Sequence, residues 1–298
     1  MFRNFDEVLL AVKERPPKRI AVAAAQDDAV LEAVKGAKEQ GIADFILVGD
    51  TDKIQNMAEK LDISLEGIPI IQETDDRQAV YQAVSMVSRG EADILMKGLI
   101  NTADLLRAVL DKEIGLRTGR VLSHVAVYEL PGFDRLIMVT DGGMNIAPNL
   151  QQKADIIQNS VKLAHVLGID PAKVAVLAAV EVVNPDMPVT LEAAALAKMA
   201  DRGQIKGAIV DGPLAFDNAI SAEAAKHKGI NSLVAGYADI LLVPDIEAGN
   251  ILGKSLVYMA GGRIAGIIMG ATKPVIVTSR ADTYEAKMMS LALGVLLA

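Results

Sequence analysis

Two stretches place basic and hydroxyl side chains where a β-strand runs into a helix: ADILMKGLINTADLLRAVL at 92–110 and KPVIVTSRADTYEAK at 273–287. In each, an apolar run of strand length ends at a polar corner. A helix pattern then opens at a good N-cap residue, Asn101 or Thr102 in the first and Asp282 or Thr283 in the second. Corners of this kind collect anions, because the first helical turn leaves backbone N–H groups unpaired and carries the positive end of the helix dipole. Lys97, Arg107 and Arg280 add full positive charges, and Ser279 adds a hydroxyl donor. In doubly wound α/β proteins ligands bind outside the carboxyl ends of the strands, which is where Lys97, Ser279 and Arg280 fall. The two corners are expected to be halves of one site for a phosphorylated small molecule.

The elements that position them follow from hydropathy periodicity. KRIAVAAA (18–25) reads as a buried strand before a helix over 28–40, and DFILVG (44–49) as a strand before a helix over 52–61. A strand at 68–71 precedes a helix over 75–89, and the ADILMKG unit follows. This βαβα succession with short connections predicts a largely parallel sheet covered by helices on both faces. Near residue 120 the rhythm changes: SHVAVYEL and DRLIMVTD flank the turn residues PGFD and read as an antiparallel pair, the mark of a lobe boundary or a sheet edge. Alternation resumes with a helix over 150–167, a strand at 173–179, a helix over 190–201, strands in GAIVDGP and ADILLVPD, and a helix over 246–259. RIAGIIMG, PVIVTS and the closing helix then return to the first lobe. The expectation is an α/β protein of two lobes, each a largely parallel sheet flanked by helices. Residues 1–120 with 266–298 form the first lobe and 121–265 the second, and the active site lies in the cleft between them.

Composition narrows the chemistry. A chain of 298 residues lies where a single core tends to divide, and its 51% apolar, 3% aromatic content suits close helix-on-sheet packing. The net charge of −8, with scattered basic residues, argues against a nucleic-acid partner. The lack of cysteine removes disulfides, thiolate metal ligands and a cysteine nucleophile, and fits a reducing cytoplasm. The start, MFRNFDEVLLAVKERP, interrupts its apolar stretch with acids and is not a signal peptide. The tail MMSLALGVLLA falls short of the roughly 20 residues that span a bilayer and reads as a buried helix end. No two of the 24 glycines fall two apart, so there is no G-x-G-x-x-G fingerprint, and neither a G-x-x-x-x-G-K-[ST] loop nor a G-x-S-x-G elbow occurs. His124, His165 and His227 show no H-x-x-x-H spacing, so no dedicated metal site is expected.

ILMKGLINTADLLR, DGPLAFDNAI (211–220), PDIEAGNILGKSLVY (244–258) and KPVIVTSR (273–280) together resemble the phosphate acetyl/butyryl transferases over nearly the whole chain. LSHVAVYELPG (122–132), MKG in place of the small-residue SGA phrase of acetyl transferases, and DGGMNIAPNLQQKADIIQNSV resemble the butyryl branch. The resemblance implies a two-lobed fold like that of isocitrate and isopropylmalate dehydrogenases, with homodimers or higher assemblies formed through the second lobe. It implies the exchange of butanoyl-CoA and phosphate for butanoyl phosphate and CoA. Acyl-CoA, CoA and phosphate are then the substrates, with no tightly bound cofactor and no membrane partner. An acetyl or branched short-chain variant is an open alternative. So are a metal- and NAD-dependent dehydrogenase of the same architecture and a non-catalytic acyl-CoA sensor.

The resemblance also suggests roles. Arg280 resembles the family's phosphate-binding arginine, and its planar fork suits two phosphate oxygens. Ser279 is similarly placed to donate a hydrogen bond to a tetrahedral oxyanion. Thr102 and Arg107 match the family's TTADLLR phrase, where they hold phosphate or the CoA end, with Lys97 and Asn101 lining the same corner. Ser123, Asp211, Asn250 and Thr283 complete the substrate-binding candidates. An ungapped reading puts Ala286 where acetyl-transferring relatives carry an aspartate that would deprotonate the thiol, so the base is open. His124 is one candidate, since an unperturbed imidazole titrates near neutrality. Asp282 and Glu285 are others, although their spacing is that of a D-x-x-E capping pair. Plainer readings stand beside several of these. Asp211 precedes Gly-Pro, a turn-forming context, and Asn250 either faces the cleft or caps a helix. Met288 and Met289 read as core, and His165 and His227 as dipole partners at helix ends.

Overall fold

The computed structural model describes residues 1–278 and 282–298. The chain divides into two compact units, Phe5–Arg120 with Ala265–Ala298, and Met1–Asn4 with Val121–Ile264.

In the first of these, α1 (Phe5–Lys13) leads into β1 (Lys18–Ala23), α2 (Asp28–Glu39), β2 (Ala43–Gly49), α3 (Thr51–Lys60), β3 (Ile70–Gln72), α4 (Asp76–Ser88), β4 (Ile94–Lys97) and α5 (Thr102–Val109). Four of the helices open with the same device. The side chains of Asp27, Asp50, Asp75 and Asn101 each accept a backbone N–H from the first turn of α2, α3, α4 and α5, satisfying donors that the helix itself leaves orphaned. The chain comes back to this unit late, through β10 (Arg263–Met269), β11 (Val275–Ile276) and α11 (Tyr284–Leu297). The strand order is β3-β2-β1-β4-β11-β10, with every pairing parallel except that of β10 with β11. From β1 the chain moves outward to β2 and β3, then returns to lay β4 on the other side of β1. The carboxyl ends of β1 and β4 therefore form a topological switch point, the usual place for a ligand in such a sheet. The closing helix is core from Ala286 to Leu296, Met288 and Met289 included, and packs on α1 and α2.

The second unit holds β5 (Ser123–Glu129), β6 (Ile137–Thr140), α6 (Leu150–Val166), β7 (Ala172–Leu177), α7 (Pro188–Asp201), β8 (Ala208–Leu214), α8 (Phe216–Ile220), α9 (Ala222–His227), β9 (Ile240–Leu242) and α10 (Ile246–Tyr258). Its strand order is β5-β6-β9-β7-β8. Strands β6, β9, β7 and β8 run parallel, and β5 is antiparallel to β6 across the PGFD turn, as the spacing of turn residues predicts. One core joins Tyr128 and Val139 of the hairpin to Leu241 and to Leu256 of α10. Pro213 sits in β8, an end strand of this unit's order, where a missing N–H costs no ladder bond on the open side.

Within each unit the strands thus run mostly parallel, with helices flanking them. Helices α1, α8 and α9 lie outside the periodicity reading. Among the described residues no helix is long and apolar enough to cross a membrane.

Candidate functional site

The first corner is built on the end of β4. Lys97 is half-buried there, and its Nζ donates to the carbonyl of Gly98 at 3.2 Å. Gly98 N and Leu99 N donate to Ala23 O and Ala24 O at 2.8 and 2.7 Å, so the end of β1 is pressed against the residue after the lysine. A Cβ on Gly98 would lie 2.1 Å from Ala24 O and 2.6 Å from Ala23 O, so only glycine fits.

Of the two possible caps for α5, Asn101 serves: its Oδ1 accepts Asp104 N at 2.8 Å, while Thr102 is the first helical residue. Asp104 gathers the corner's polar groups. Its carboxylate accepts from the Asn101 amide and from Arg107, and it lies 3.8 Å from Nε of Arg77 on the first turn of α4. The Asn101 amide first, then the Arg107 and Arg77 guanidiniums, hold the Asp104 carboxyl below its ordinary 3.8, against the partial burial that raises it. Two arginines thus share one carboxylate at the first turn of α5. Arg77 and Asp104 escaped the sequence reading. Asp104 was visible as the i+3 partner of Asn101 and Arg107, but Arg77 arrives from another helix.

This geometry carries a pH expectation. Because the folded-state value is depressed, the stability Asp104 supplies is present above pH 3.8 and lost as pH falls through the lowered folded value. The melting-temperature difference between the protein and Asp104→Asn should therefore be constant near neutrality and shrink under acid. A difference that grows on acidification would contradict the assignment.

Of the second corner, Ser279 and Arg280 lie outside the described residues. Beyond them, Thr283 caps α11, its Oγ1 accepting Ala286 N at 3.2 Å, and the buried Lys287 donates to Asp282 O. The cap is Thr283, so the D-x-x-E capping pair expected of Asp282 and Glu285 is corrected. The helix starts one residue later than that pair requires.

The remaining candidates belong to the second unit. His124 stands at the start of β5 opposite the end of β6, its backbone held on both sides. Its N–H donates to Asp141 Oδ2 at 3.2 Å, and its carbonyl accepts from Thr140 Oγ1 at 2.9 Å. Its ring faces Gly143, where an added Cβ would sit 3.2 Å from Cγ and Nδ1. The loop after β6 rests on the start of α10. A Cβ on Gly142 would lie 2.7 Å from the Gly249 carbonyl carbon, and Asn250 Nδ2 donates to Gly142 O at 3.4 Å. Asp245, not Asn250, caps α10, and Asn250 is exposed beside this loop. His124, Gly143 and Asn250 are thereby brought together.

Ser123 and Asp211 stand apart from that group. Ser123 is fully buried, its Oγ accepting from Asn159 Nδ2 at 2.9 Å. Asp211 lies in β8, its Oδ1 accepting Gly212 N at 2.8 Å. Four strand spacings of about 4.8 Å separate β8 from β5, so Asp211 lies roughly 19 Å from the His124 strand.

Chemically, the first unit offers arginine and lysine side chains suited to phosphate oxygens, and the second an imidazole beside Gly143 whose backbone is held on both sides. The family described as Phosphate acetyl/butaryl transferase matches residues 4–79 and 72–295. A phosphate butyryltransferase from Clostridium acetobutylicum is 53% identical over 298 residues, covering 100% of this chain and 99% of its own. A phosphate acetyltransferase from Thermotoga maritima is 49% identical over 294 residues, covering 99% of this chain and 100% of its own. Among solved structures, a branched-chain phosphotransacylase from Enterococcus faecalis V583 superposes with a TM-score of 0.84 at 34% identity, covering 94% of this chain and 98% of that one.

Proposed function

Since the chain belongs to the phosphate acetyl/butyryl transferase family, we propose that it exchanges CoA and phosphate on a short acyl group, turning butanoyl-CoA and phosphate into butanoyl phosphate and CoA. The observation that carries this reading is the full-length match, at 53% identity, to a phosphate butyryltransferase.

A phosphate oxygen attacks the thioester carbonyl, the tetrahedral oxyanion collapses, and the C–S bond breaks to release CoA thiolate. Arg280 holds the attacking phosphate with its fork, and Ser279 donates to the oxyanion. Lys97, Asn101 and Thr102 at the start of α5, with Arg107 reaching Asp104 from its last turn, receive phosphate or the anionic end of CoA, with Thr283 at the start of α11. His124 carries the proton to and from sulfur, and Asn250 binds substrate beside it. Asp211 is assigned to substrate away from the reacting carbonyl. Ser123, being buried, serves by steadying the strand that bears His124. The same reading makes CoA, acyl-CoA and phosphate exchanging substrates, with no tightly bound cofactor. It places the protein in the cytoplasm as a homodimer or larger homo-oligomer.

An acetyl preference is the second reading, favoured by the 49% identity to a phosphate acetyltransferase. One methylene changes pocket binding by about 1–3 kcal/mol, so relative kcat/KM on the two acyl-CoAs separates these readings.

The test is thioester loss from butyryl-CoA, followed by its ultraviolet absorbance with and without phosphate. Turnover that requires phosphate is expected, since only catalysis consumes thioester in this way. Binding without turnover would leave an acyl-CoA sensor. Comparing kcat/KM across acetyl-, propionyl-, butyryl- and isobutyryl-CoA should place butyryl-CoA first.

A further inference from the structure

We propose that Asp141 is a positioning residue for the acyl exchange, acting through His124 and the Gly142–Met144 loop. The proposal rests on the reading above, in which His124 handles the proton.

Asp141 is 2% exposed, yet its carboxylate is met by five N–H donors. Oδ1 accepts Gly143 N and Met144 N, each at 2.9 Å, which shapes the turn. Oδ2 accepts His124 N at 3.2 Å, Asn145 N at 3.3 Å and Asn145 Nδ2 at 2.6 Å. Asn145 Nδ2 also donates to Leu122 O at 2.9 Å, tying the same loop to the residues just before His124. A buried carboxylate is costly unless its lone pairs are filled, and here they are filled only if the loop and the head of β5 keep their present relation.

Register explains why these groups meet. Ala126 pairs with Val139 across the β5–β6 hairpin, so His124 falls opposite Asp141. At that rung the side chains of Asp141 and Thr140 take up the histidine's N–H and C=O. The result is a histidine whose backbone is clamped from both sides while its ring lies against Gly143. The two oxygens also divide the labour: one makes the turn and the other holds His124.

Asp141→Asn separates these tasks. One amide oxygen can still make the turn, but the amide N–H₂ then faces the three donors that Oδ2 accepted, and His124 is released. Misplacing a reacting group by about 1 Å costs on the order of 10²-fold in rate. The expected result is a folded protein whose kcat falls 10- to 100-fold while KM for butyryl-CoA and phosphate stays within about twofold.

The decisive comparison is the pair of single variants with the double variant. If Asp141 acts through His124, Asp141→Asn lowers kcat in the parent and changes nothing further in His124→Ala. Should Asp141→Asn not fold, Thr140→Val removes the other half of the clamp with little change of shape and must show the same dependence on His124. Losses that multiply in the double variant would overturn the proposal. So would an unimpaired Asp141→Asn, or full kcat in His124→Ala. A parent protein without phosphate-dependent turnover would instead remove the functional reading, and this inference with it.

Discussion

Replacing Ser279 by alanine is expected to lower kcat for phosphate-dependent CoA release about 10²–10³-fold and to leave the melting temperature unchanged. The magnitude is that of losing one hydrogen-bond donor to a tetrahedral oxyanion, about 2.7–4 kcal/mol of transition-state stabilisation. The effect belongs in kcat, because the charge to be stabilised develops only as the carbonyl is attacked. The neighbouring Arg280→Lys variant should respond differently. Lysine keeps the positive charge but loses the planar fork, and a charge-assisted hydrogen bond is worth roughly 1.5–3 kcal/mol, or about 10- to 150-fold. That loss should fall on kcat/KM for phosphate. Initial rates at varied phosphate and butyryl-CoA separate the two, and wild-type kinetics in both variants would remove these residues from the mechanism.

Gly98→Ala should be the most damaging single methyl group in the first unit. The added carbon would meet backbone, at 2.1 and 2.6 Å from the carbonyl oxygens of Ala24 and Ala23, so no rotamer change relieves it. The ends of β1 and β4 must part, weakening the bonds from Gly98 N and Leu99 N and dragging Lys97 with them. Overpacking of this kind costs about 1–3 kcal/mol and sometimes more, which for units of this size is several degrees in Tm. Calorimetry gives the stability term. Steady-state kinetics of the folded fraction should show weakened substrate binding, because Lys97 moves with the loop. A variant with unaltered Tm and KM would mean that the two strand ends are not packed as described.

Much of the scaffold was legible because its signals are local. Strands such as KRIAVAAA are apolar on both faces, which distinguishes a buried parallel strand, and the Asp and Asn residues before α2 to α5 announce helix starts. Where two caps competed, sequence left the choice open because it turns on backbone dihedrals. Asn101 and Thr283 are the residues in extended conformation, so their side chains reach back to the first turn. The short helices α8 and α9 span five and six residues, too few to show a period. Arg77 and Asp141 were hidden for a different reason. Arg77 joins the α5 corner only because α4 packs there, and Asp141 meets His124 only through hairpin register. Neither pairing leaves a mark in the spacing of residues along the chain.

The late return of the chain to its first unit sets a timetable for biosynthesis. In the strand order β11 lies between β4 and β10, and α11 covers α1 and α2, yet these pieces come from residues 265–298. As the protein leaves the ribosome, the fully buried Ile94, Leu95 and Met96 of β4 must wait for Val275 and Ile276 before that edge is paired. At roughly 5–20 residues per second the delay is on the order of 10–40 s. The central unit, 121–264, can close in the meantime. A nascent chain arrested before residue 275 should therefore expose an apolar, unpaired strand edge and bind chaperones, whereas one released with its last helix should not.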